Sequence, residues 1–185
     1  MKGIIFNLLE DVVTIRHGEA VWDRILESAG AEGAYTSLGN YPDEEFVSLL
    51  GALARHDRKP ESEVLKRFGQ LSMPFLAERY PEFFTPHQHL RSFLLSLNDV
   101  IHAEVRKLYP GADVPMFDFE TPAGAAGHDT LIIRYRSKRR LCTLAEGFIA
   151  GAAQHFGQQV AVLQQKCMLN GAEECVLVCT FDKRA

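Results

Sequence analysis

The chain has 185 residues, of which 46% are hydrophobic and 24% are charged, and its formal net charge is −4. This length and composition are ordinary for one globular domain spanning residues 1–185, and the excess of acidic residues argues against a nucleic-acid-binding surface. No stretch reaches the roughly 18 apolar residues that a membrane span needs, and polar residues from Asn7 onward interrupt any signal-peptide core. We therefore expect a cytoplasmic protein without a membrane partner, whose four cysteines are reduced thiols or metal ligands.

The first part of the chain predicts four amphipathic helices. Apolar residues recur at steps of three and four, the helical period, in four separate stretches. Gly18 and Gly30 mark the ends of the first two helices. Pro42 and Pro60, each followed by acidic residues, mark the starts of the next two. Pro74 lies inside the fourth stretch and should kink that helix.

Residues 90–109 predict one uninterrupted amphipathic helix, which ends before Pro110. Its apolar residues form a single stripe that should face a core. His102 lies beside this stripe, at the edge of whatever the helix packs against. Two interpretations of it are open: a hydrogen-bonded, half-buried histidine, or a metal ligand or titrating group at a cavity wall. His87 and His89, in a proline-rich turn just before, are expected to be solvated.

After this helix the pattern changes, and short alternating or β-branched runs predict strands. The predicted elements are a strand over 114–119, a small-residue loop over 121–127, a strand over 131–135, a helix over 141–156, and two strands that flank a hairpin turn at Asn170 and Gly171. A helical first half followed by an antiparallel second half is typical of α+β proteins. We therefore predict a helical N-terminal lobe over 1–80 and a mixed lobe with an antiparallel sheet over 81–185.

Three polar side chains lie at the end of the strand predicted over 131–135. If the chain stays extended to Arg139, alternation puts Tyr135, Ser137 and Arg139 on one face. All three are hydrogen-bond donors, and the guanidinium can grip a carboxylate or a phosphate through two parallel bonds. This face is either an anion-binding site or a solvated basic edge, since edge strands often carry such charges.

The pattern Tyr135-x-Ser137-x-Arg139, about thirty residues after a helical histidine, resembles the haem-propionate signature of the H-NOX family. These are the haem nitric-oxide/oxygen-binding domains related to the sensor half of soluble guanylate cyclase. The similarity extends from the Met-Lys-Gly-Ile-Ile-Phe-Asn start to the C-terminal hairpin, and Pro115 strengthens it. It implies a haem b between the two lobes, with His102 as the only protein ligand of the iron and the three polar residues on the propionates. Pro115 would press on the porphyrin and distort it.

The same resemblance puts Ile5 and Leu144 on the wall of the haem pocket. Family members that bind oxygen stably carry a tyrosine at the position of Leu144 and a hydrogen-bonding tryptophan at that of Leu9. The apolar residues here imply a ferrous haem that binds NO and CO but discriminates against O2. NO binding is expected to break the bond to His102 and to shift one lobe against the other, which gives a two-state signal.

The resemblance also implies a sensor rather than an enzyme, and no nucleophile–base arrangement in the sequence suggests catalysis. The signal is expected to pass to a separate partner protein. By family analogy this partner is a histidine kinase or a cyclic-di-GMP enzyme.

The cysteines predict either a zinc site or buried apolar thiols. Some bacterial H-NOX proteins have a Cys/His zinc site whose cysteines match Cys142, Cys167 and Cys175. Gln164 stands where those proteins carry the histidine, so Cys179 is the candidate for the fourth ligand. A competing hypothesis for the whole chain is a haem-free, zinc-stapled domain that binds an apolar small molecule or senses thiol oxidation.

Overall fold

The computed structural model describes residues 1–122 and 129–182, and its N-terminal part is a bundle of four helices. These are α1 (Gly3–His17), α2 (Glu19–Ala29), α3 (Asp43–Asp57) and α4 (Glu61–Arg79). Gly18 and Gly30, both with positive φ, end the first two helices as predicted. Pro42 and Pro60 directly precede α3 and α4, whose first turns carry acidic residues. Among the described residues, no helix combines the length and hydrophobicity that crossing a bilayer requires.

Helix α4 continues through Pro74 as far as Arg79. Proline has no N–H group, so the carbonyl of Gln70 lacks its usual helical donor. This carbonyl faces Gly151 of α7 (Cys142–His155), where a Cβ atom would lie only 2.4 Å from it. Helices α4 and α7 are therefore in close backbone contact.

The segment predicted as one helix over 90–109 consists of three consecutive pieces. An α-helix, α5 (Leu90–Leu95), is followed by a π-helical turn (Leu97–Ile101) and by α6 (His102–Leu108). The prediction of an uninterrupted helix was wrong, because the amide of Ile101 bonds to the carbonyl of Ser96, one residue further back than in an α-helix. The extra residue changes the direction in which the following side chains point, beginning with His102.

The second part of the chain contains a four-stranded sheet with strand order β1-β2-β4-β3. Its strands are β1 (Met116–Glu120), β2 (Asp129–Arg136), β3 (Val160–Lys166) and β4 (Cys175–Phe181). Every pairing among them is antiparallel, which confirms the predicted α+β class. The predicted hairpin is also confirmed: β3 and β4 are joined through a left-handed Gly171. From residue 123 onward, the predicted loop over 121–127 lies outside the described residues.

Two hydrophobic cores lie on either side of α4 and α7. The first is formed mainly by α1 to α4 and contains the wholly buried Phe6 and the nearly buried Phe68. The second lies between the sheet and helices α5 and α7 and contains Leu131 and Leu177. Residues of α4 and α7 belong to both cores. The two lobes therefore share these helices.

Candidate functional site

A cavity of about 320 Å3 lies between the two cores, and its wall is mostly apolar. Residues from both predicted lobes line it, including Ile5 from α1, Met73 from α4 and Ile133 from β2. An apolar wall with a few polar groups is the usual composition of a small-molecule or cofactor pocket. The four polar residues predicted to bind haem all line this cavity: His102, Tyr135, Ser137 and Arg139.

His102 is held against β1 by the π-helical turn that precedes it. The side-chain amide of Asn98, within this turn, donates to the carbonyl of Phe117 and accepts from the Phe117 N–H at 3.3 Å. The imidazole also stacks on the Phe117 ring, with centroids 5.6 Å apart and planes 27° apart. Phe117 thus fixes both the turn and the ring of His102.

Burial keeps His102 uncharged at neutral pH. It lowers the pKa of the imidazole to about 4, Arg106 acts in the same direction, and the carbonyl of Pro115 partly opposes them. None of the described residues offers the buried Nδ1 atom a hydrogen bond of ordinary geometry. Both interpretations of His102 keep support, since the Pro115 carbonyl interacts with the imidazole while the Nδ1 atom has no hydrogen-bond partner among the described residues. A neutral imidazole with an unpartnered nitrogen is the form that can ligate iron.

The second polar group lies where β2 ends. The strand does not stay extended to Arg139, because β2 stops at Arg136 and the chain turns, with a left-handed φ of 52° at Arg140. All three residues nevertheless line the cavity, and within the turn the Ser137 hydroxyl accepts a hydrogen bond from the backbone N–H of Arg139 at 3.2 Å. Burial raises the pKa of Tyr135, so its phenol stays protonated and able to donate.

Arg139 joins the helical lobe to the mixed lobe. Its Nε atom lies 2.7 Å from Oδ2 of Asp43, at the start of α3. Its Nη1 atom lies 2.6 Å from the carbonyl oxygen of Asp113 and 3.3 Å from the carboxylate of the same residue. Burial raises the pKa of Asp43, but the N-terminal ammonium and the guanidinium of Arg139 outweigh this effect and hold that pKa below its ordinary value. The guanidinium therefore interacts with carboxylates in the manner predicted for propionates.

The apolar wall includes three of the four predicted apolar pocket residues. Ile5, Pro115 and Leu144 line the cavity. The place of Leu144 depends on the close contact between α4 and α7, since a Cβ atom at Gly69 would lie 2.7 Å from the Leu144 carbonyl oxygen. Leu9 does not line the cavity, contrary to the prediction. It lies one helical turn after Ile5 and is wholly buried in the first core.

Three of the four cysteines meet. The Sγ atoms of Cys142, Cys167 and Cys175 lie within 4.8 Å of one another, and the first two are 3.7 Å apart. Cys179 is not part of this group. The prediction of Cys179 as fourth ligand was wrong, because residues four apart on a strand share a face but are separated by about 13 Å. Cys179 instead lies buried, paired in register with Leu131.

The three thiols differ in their environments. Burial raises the pKa of Cys175 to about 12. Burial also acts to raise the pKa of Cys167, but the N–H of Leu169 and the thiol of Cys142 bring it below its ordinary value. Gln164 precedes this group at an irregularity in β3. Its buried Nε2 atom has no hydrogen-bond partner in the part of the chain that the structure describes.

Sequence reasoning missed several residues that shape the cavity. Tyr80 and Tyr109 line it, and their phenols hydrogen-bond to each other. Asn98 orients the turn before His102, and Asp43 holds Arg139. Each of these contacts joins residues at least 19 positions apart. Periodicity and spacing therefore contained no signal for them.

Comparison with known proteins identifies the family of this chain. The family model described as haem-NO-binding matches residues 2–164. The chain belongs to the H-NOX family. Among solved structures, an H-NOX protein from S. oneidensis in the Fe(II)NO ligation state is similar to it, with a TM-score of 0.91 and 36% sequence identity. The alignment covers 99% of this chain and 100% of that one.

Two further H-NOX structures give the same result. The NMR structure of an H-NOX domain from Shewanella oneidensis in the Fe(II)CO ligation state has a TM-score of 0.89 and 35% identity, and all of both chains is covered. An unliganded Fe(II) H-NOX protein from K. algicida has a TM-score of 0.86 and 26% identity, with 100% of this chain and 98% of that one covered. A search of curated proteins found no match. H-NOX relatives of this chain are thus seen with ferrous iron, alone or with NO or CO bound.

Proposed function

We propose that this H-NOX chain is a gas sensor that binds NO and CO at a ferrous haem b held between its lobes. The observation that carries the proposal is His102, a half-buried, neutral imidazole on the wall of an apolar cavity, whose Nδ1 atom has no hydrogen-bond partner among the described residues. When bound, haem supplies an iron atom that takes a diatomic ligand. The polar residues of the cavity fit both the iron and the propionates of haem. The imidazole can ligate the iron, and the guanidinium and hydroxyls can donate hydrogen bonds to the propionates.

Each polar residue has a distinct task in this proposal. His102 ligates the iron, and the Phe117 ring stacked on it restricts rotation of the imidazole. Tyr135 and Ser137 donate hydroxyl hydrogen bonds to a propionate. Arg139 serves a propionate and Asp43 together, since its Nε is already 2.7 Å from the Asp43 carboxylate. Anchoring of the propionates would therefore be coupled to the ion pair that joins the two lobes.

The apolar wall supports discrimination against O2. Ile5 and Leu144 line the cavity and carry no hydrogen-bond donor. A bound O2 is polar and depends on such a donor, whereas NO and CO depend on it much less. Three phenols line the cavity: the proposal assigns that of Tyr135 to a propionate, and those of Tyr80 and Tyr109 hydrogen-bond to each other. These features favour NO and CO as the ligands that the protein reports.

The signalling step would start at His102. Release of its ring from the iron, which the resemblance implies for the NO-bound state, would remove the tie between α6 and the haem. The preceding π-helical turn is hydrogen-bonded to β1 through Asn98, so a movement of this turn would also displace β1. Such a ligand-biased, two-state element is what a sensor needs.

We propose that the whole of 1–185 acts as one domain, with lobes over 1–80 and 81–185, and that it signals to a separate protein without catalysing a reaction. Family analogy names a histidine kinase or a cyclic-di-GMP enzyme as that partner. A bacterial, cytoplasmic protein fits the S. oneidensis relatives and the free cysteines among the described residues.

Replacement of His102 by Gly tests the ligand assignment. The variant should lose the axial bond, so its ferrous absorption spectrum should change, and imidazole added to the solution should restore it. The matched control is His89→Gly, because His89 is exposed and does not line the cavity; this variant should keep the wild-type spectrum. An unchanged ferrous spectrum in the His102 variant would contradict the assignment.

The three-thiol group supports a second proposal, a bound zinc ion. Sulfur atoms around a tetrahedral zinc at about 2.3 Å are about 3.8 Å apart, close to the 3.7 Å between Cys142 and Cys167. Three thiols leave a fourth position for water or another donor. Zinc analysis of the purified protein should give one ion per chain, lost in Cys142→Ser and kept in Cys179→Ser. Equal zinc contents in both variants, or none in the wild type, would rule the site out.

A further inference from the structure

A second group of ligand-type side chains lies at the far end of α1 from the haem cavity. His17 is the last residue of α1, and His56 and Asp57 are the last two residues of α3. One potential ligand atom from each of the three lies within 4.8 Å of the others. Because a helix rises about 1.5 Å per residue, His17 is roughly 18 Å along α1 from Ile5, which lines the haem cavity. The group is therefore separate from the proposed haem site.

We propose that His17, His56 and Asp57 bind a divalent transition-metal ion such as Zn2+, Ni2+ or Co2+. The Nε2 atom of His17 lies 3.5 Å from Oδ1 of Asp57, which is too long for a hydrogen bond. Two ligand atoms at about 2.0–2.1 Å from one tetrahedral ion are about 3.3 Å apart. The observed separation is close to the spacing of two ligands of one ion, and it is also within the range of an ion pair between the two side chains.

The third ligand needs only a small movement. The rings of His17 and His56 are 5.3 Å apart between centroids and inclined at 83°, so they are not stacked and a nitrogen of each can turn to the same point. The largest separation within the group is at most 4.8 Å, so an approach of about 1.5 Å reaches the ligand spacing of a tetrahedral ion. His56 is exposed and can make this movement by rotating its side chain.

The backbone around the other two ligands is fixed without an ion. Val13 and Leu53 are buried one turn before the ends of α1 and α3 and anchor both helices in the first core. After Asp57 the chain leaves α3 through Arg58, which has a left-handed φ of 56°. The side chains of His17 and Asp57 are 21% and 19% exposed, so they are restrained yet reachable by solvent. Such pre-organisation lowers the entropy lost on binding an ion.

The electrostatics of the site favour a transition ion over Mg2+ or Ca2+. The negative ends of two helix dipoles, those of α1 and α3, meet at this point and favour a cation. Against this, Arg16, Lys59 and Arg67 line an adjoining cavity of about 300 Å3, although Lys59 is paired with Glu63 at 2.8 Å. Among the described residues, the group itself contains one carboxylate, that of Asp57, and the nearby Glu63 is paired with Lys59, so charge alone would not hold a hard cation. Two imidazoles select borderline ions such as Zn2+ and Ni2+ instead.

The adjoining cavity leaves room for water at the remaining coordination positions. Binding would tie the end of α1 to the end of α3, two helices that pack mainly through α2 and α4. An ion at 100 times its Kd should therefore raise the Tm of the protein by about 5–10 °C. We expect His56→Ala to abolish most of this rise.

Calorimetric titration of the full-length chain with Ni2+, after treatment with EDTA and desalting, tests the proposal. His56→Ala and Asp57→Asn should each weaken one binding event by more than about tenfold. His89→Ala is the control, since it removes another exposed histidine and should leave that event unchanged. Any Ni2+ bound by the cysteines contributes the same heat in the wild type and in all three variants. The difference between their titrations therefore reports the site at His56 and Asp57 alone.

Circular dichroism will establish that the variants are folded, which is expected because His56 is exposed and Asn has the size of Asp. The proposal is overturned if both variants bind Ni2+ with the stoichiometry and affinity of the wild type, or if the wild type binds none. It is also overturned if His89→Ala alone removes the binding event. None of these outcomes depends on haem, so failure here is distinguishable from failure of the gas-sensor proposal.

Discussion

Replacement of Gly147 by Ala should push α7 away from α4 and destabilise the protein. A Cβ atom at this position would lie 2.1 Å from the backbone carbonyl oxygen of Lys66, whereas ordinary contact begins at 3.4 Å, so the helices must separate by about 1.3 Å. A helical carbonyl cannot rotate away as a side chain can. The cost should therefore lie at the upper end of the usual range for overpacking, about 3 kcal/mol, which lowers the Tm of a domain of this size by about 6–12 °C.

Thermal unfolding followed by circular dichroism measures this effect, with Gly51→Ala as the matched control. A Cβ atom at Gly51, also in a helix, would approach the flexible Glu61 carboxylate at 3.3 Å. That variant should be neutral or more stable by up to about 1 kcal/mol, because alanine favours the helix. Since Leu144 precedes Gly147 by one turn and lines the cavity, CO dissociation should also change in Gly147→Ala. A Gly147→Ala variant as stable as wild type would refute the role given to this helix contact.

Three further predictions follow from the cavity wall and its supports. Leu144→Tyr should raise O2 affinity by up to about tenfold through a new donor, and an unchanged oxygen titration would mean that residue 144 does not face bound gas. Asn98→Ala should remove two hydrogen bonds to Phe117 and cost about 1–3 kcal/mol in urea unfolding; no loss would show that the π-helical turn is held by other contacts. In the haem-free chain, neutral His102 contributes stability that is complete above pH 6.5 and is lost as the pH falls towards 4, because the unfolded chain takes up the proton first. Over this range the wild type should lose up to about 3 kcal/mol more than His102→Gln, and parallel pH profiles would contradict the burial of a neutral ring.

Features encoded by nearby residues could be predicted from the sequence. The limits of the first helices follow from local chemistry: Gly18 takes a positive φ, and Pro42 and Pro60 precede turns rich in acidic residues. The hairpin could be predicted from the Asn170–Gly171 pair, because Gly171 takes the left-handed conformation that the turn needs. The resemblance to H-NOX proteins located polar residues that line the cavity, although Ser137 and Arg139 lie in a turn after β2 and not on an extended strand.

Features that depend on distant contacts could not be predicted in this way. The π-helical turn before His102 is stabilised by Asn98 bonding to Phe117, 19 residues later. The close approach of α4 to α7 rests on glycines such as Gly147, whose partner lies 81 positions earlier at Lys66. Helical periodicity describes only which face is apolar, so it could not exclude Leu9 from the cavity wall.

The most direct test of the central claim is the absorption spectrum of the hemin-reconstituted, dithionite-reduced protein before and after addition of NO, and then of a reduced sample in air. We expect a Soret band that moves with NO, and no stable oxy spectrum. A stable oxy spectrum would contradict the apolar gas pocket formed by Ile5 and Leu144. A protein that retains no hemin would contradict the haem assignment itself and favour the zinc-stapled, haem-free alternative.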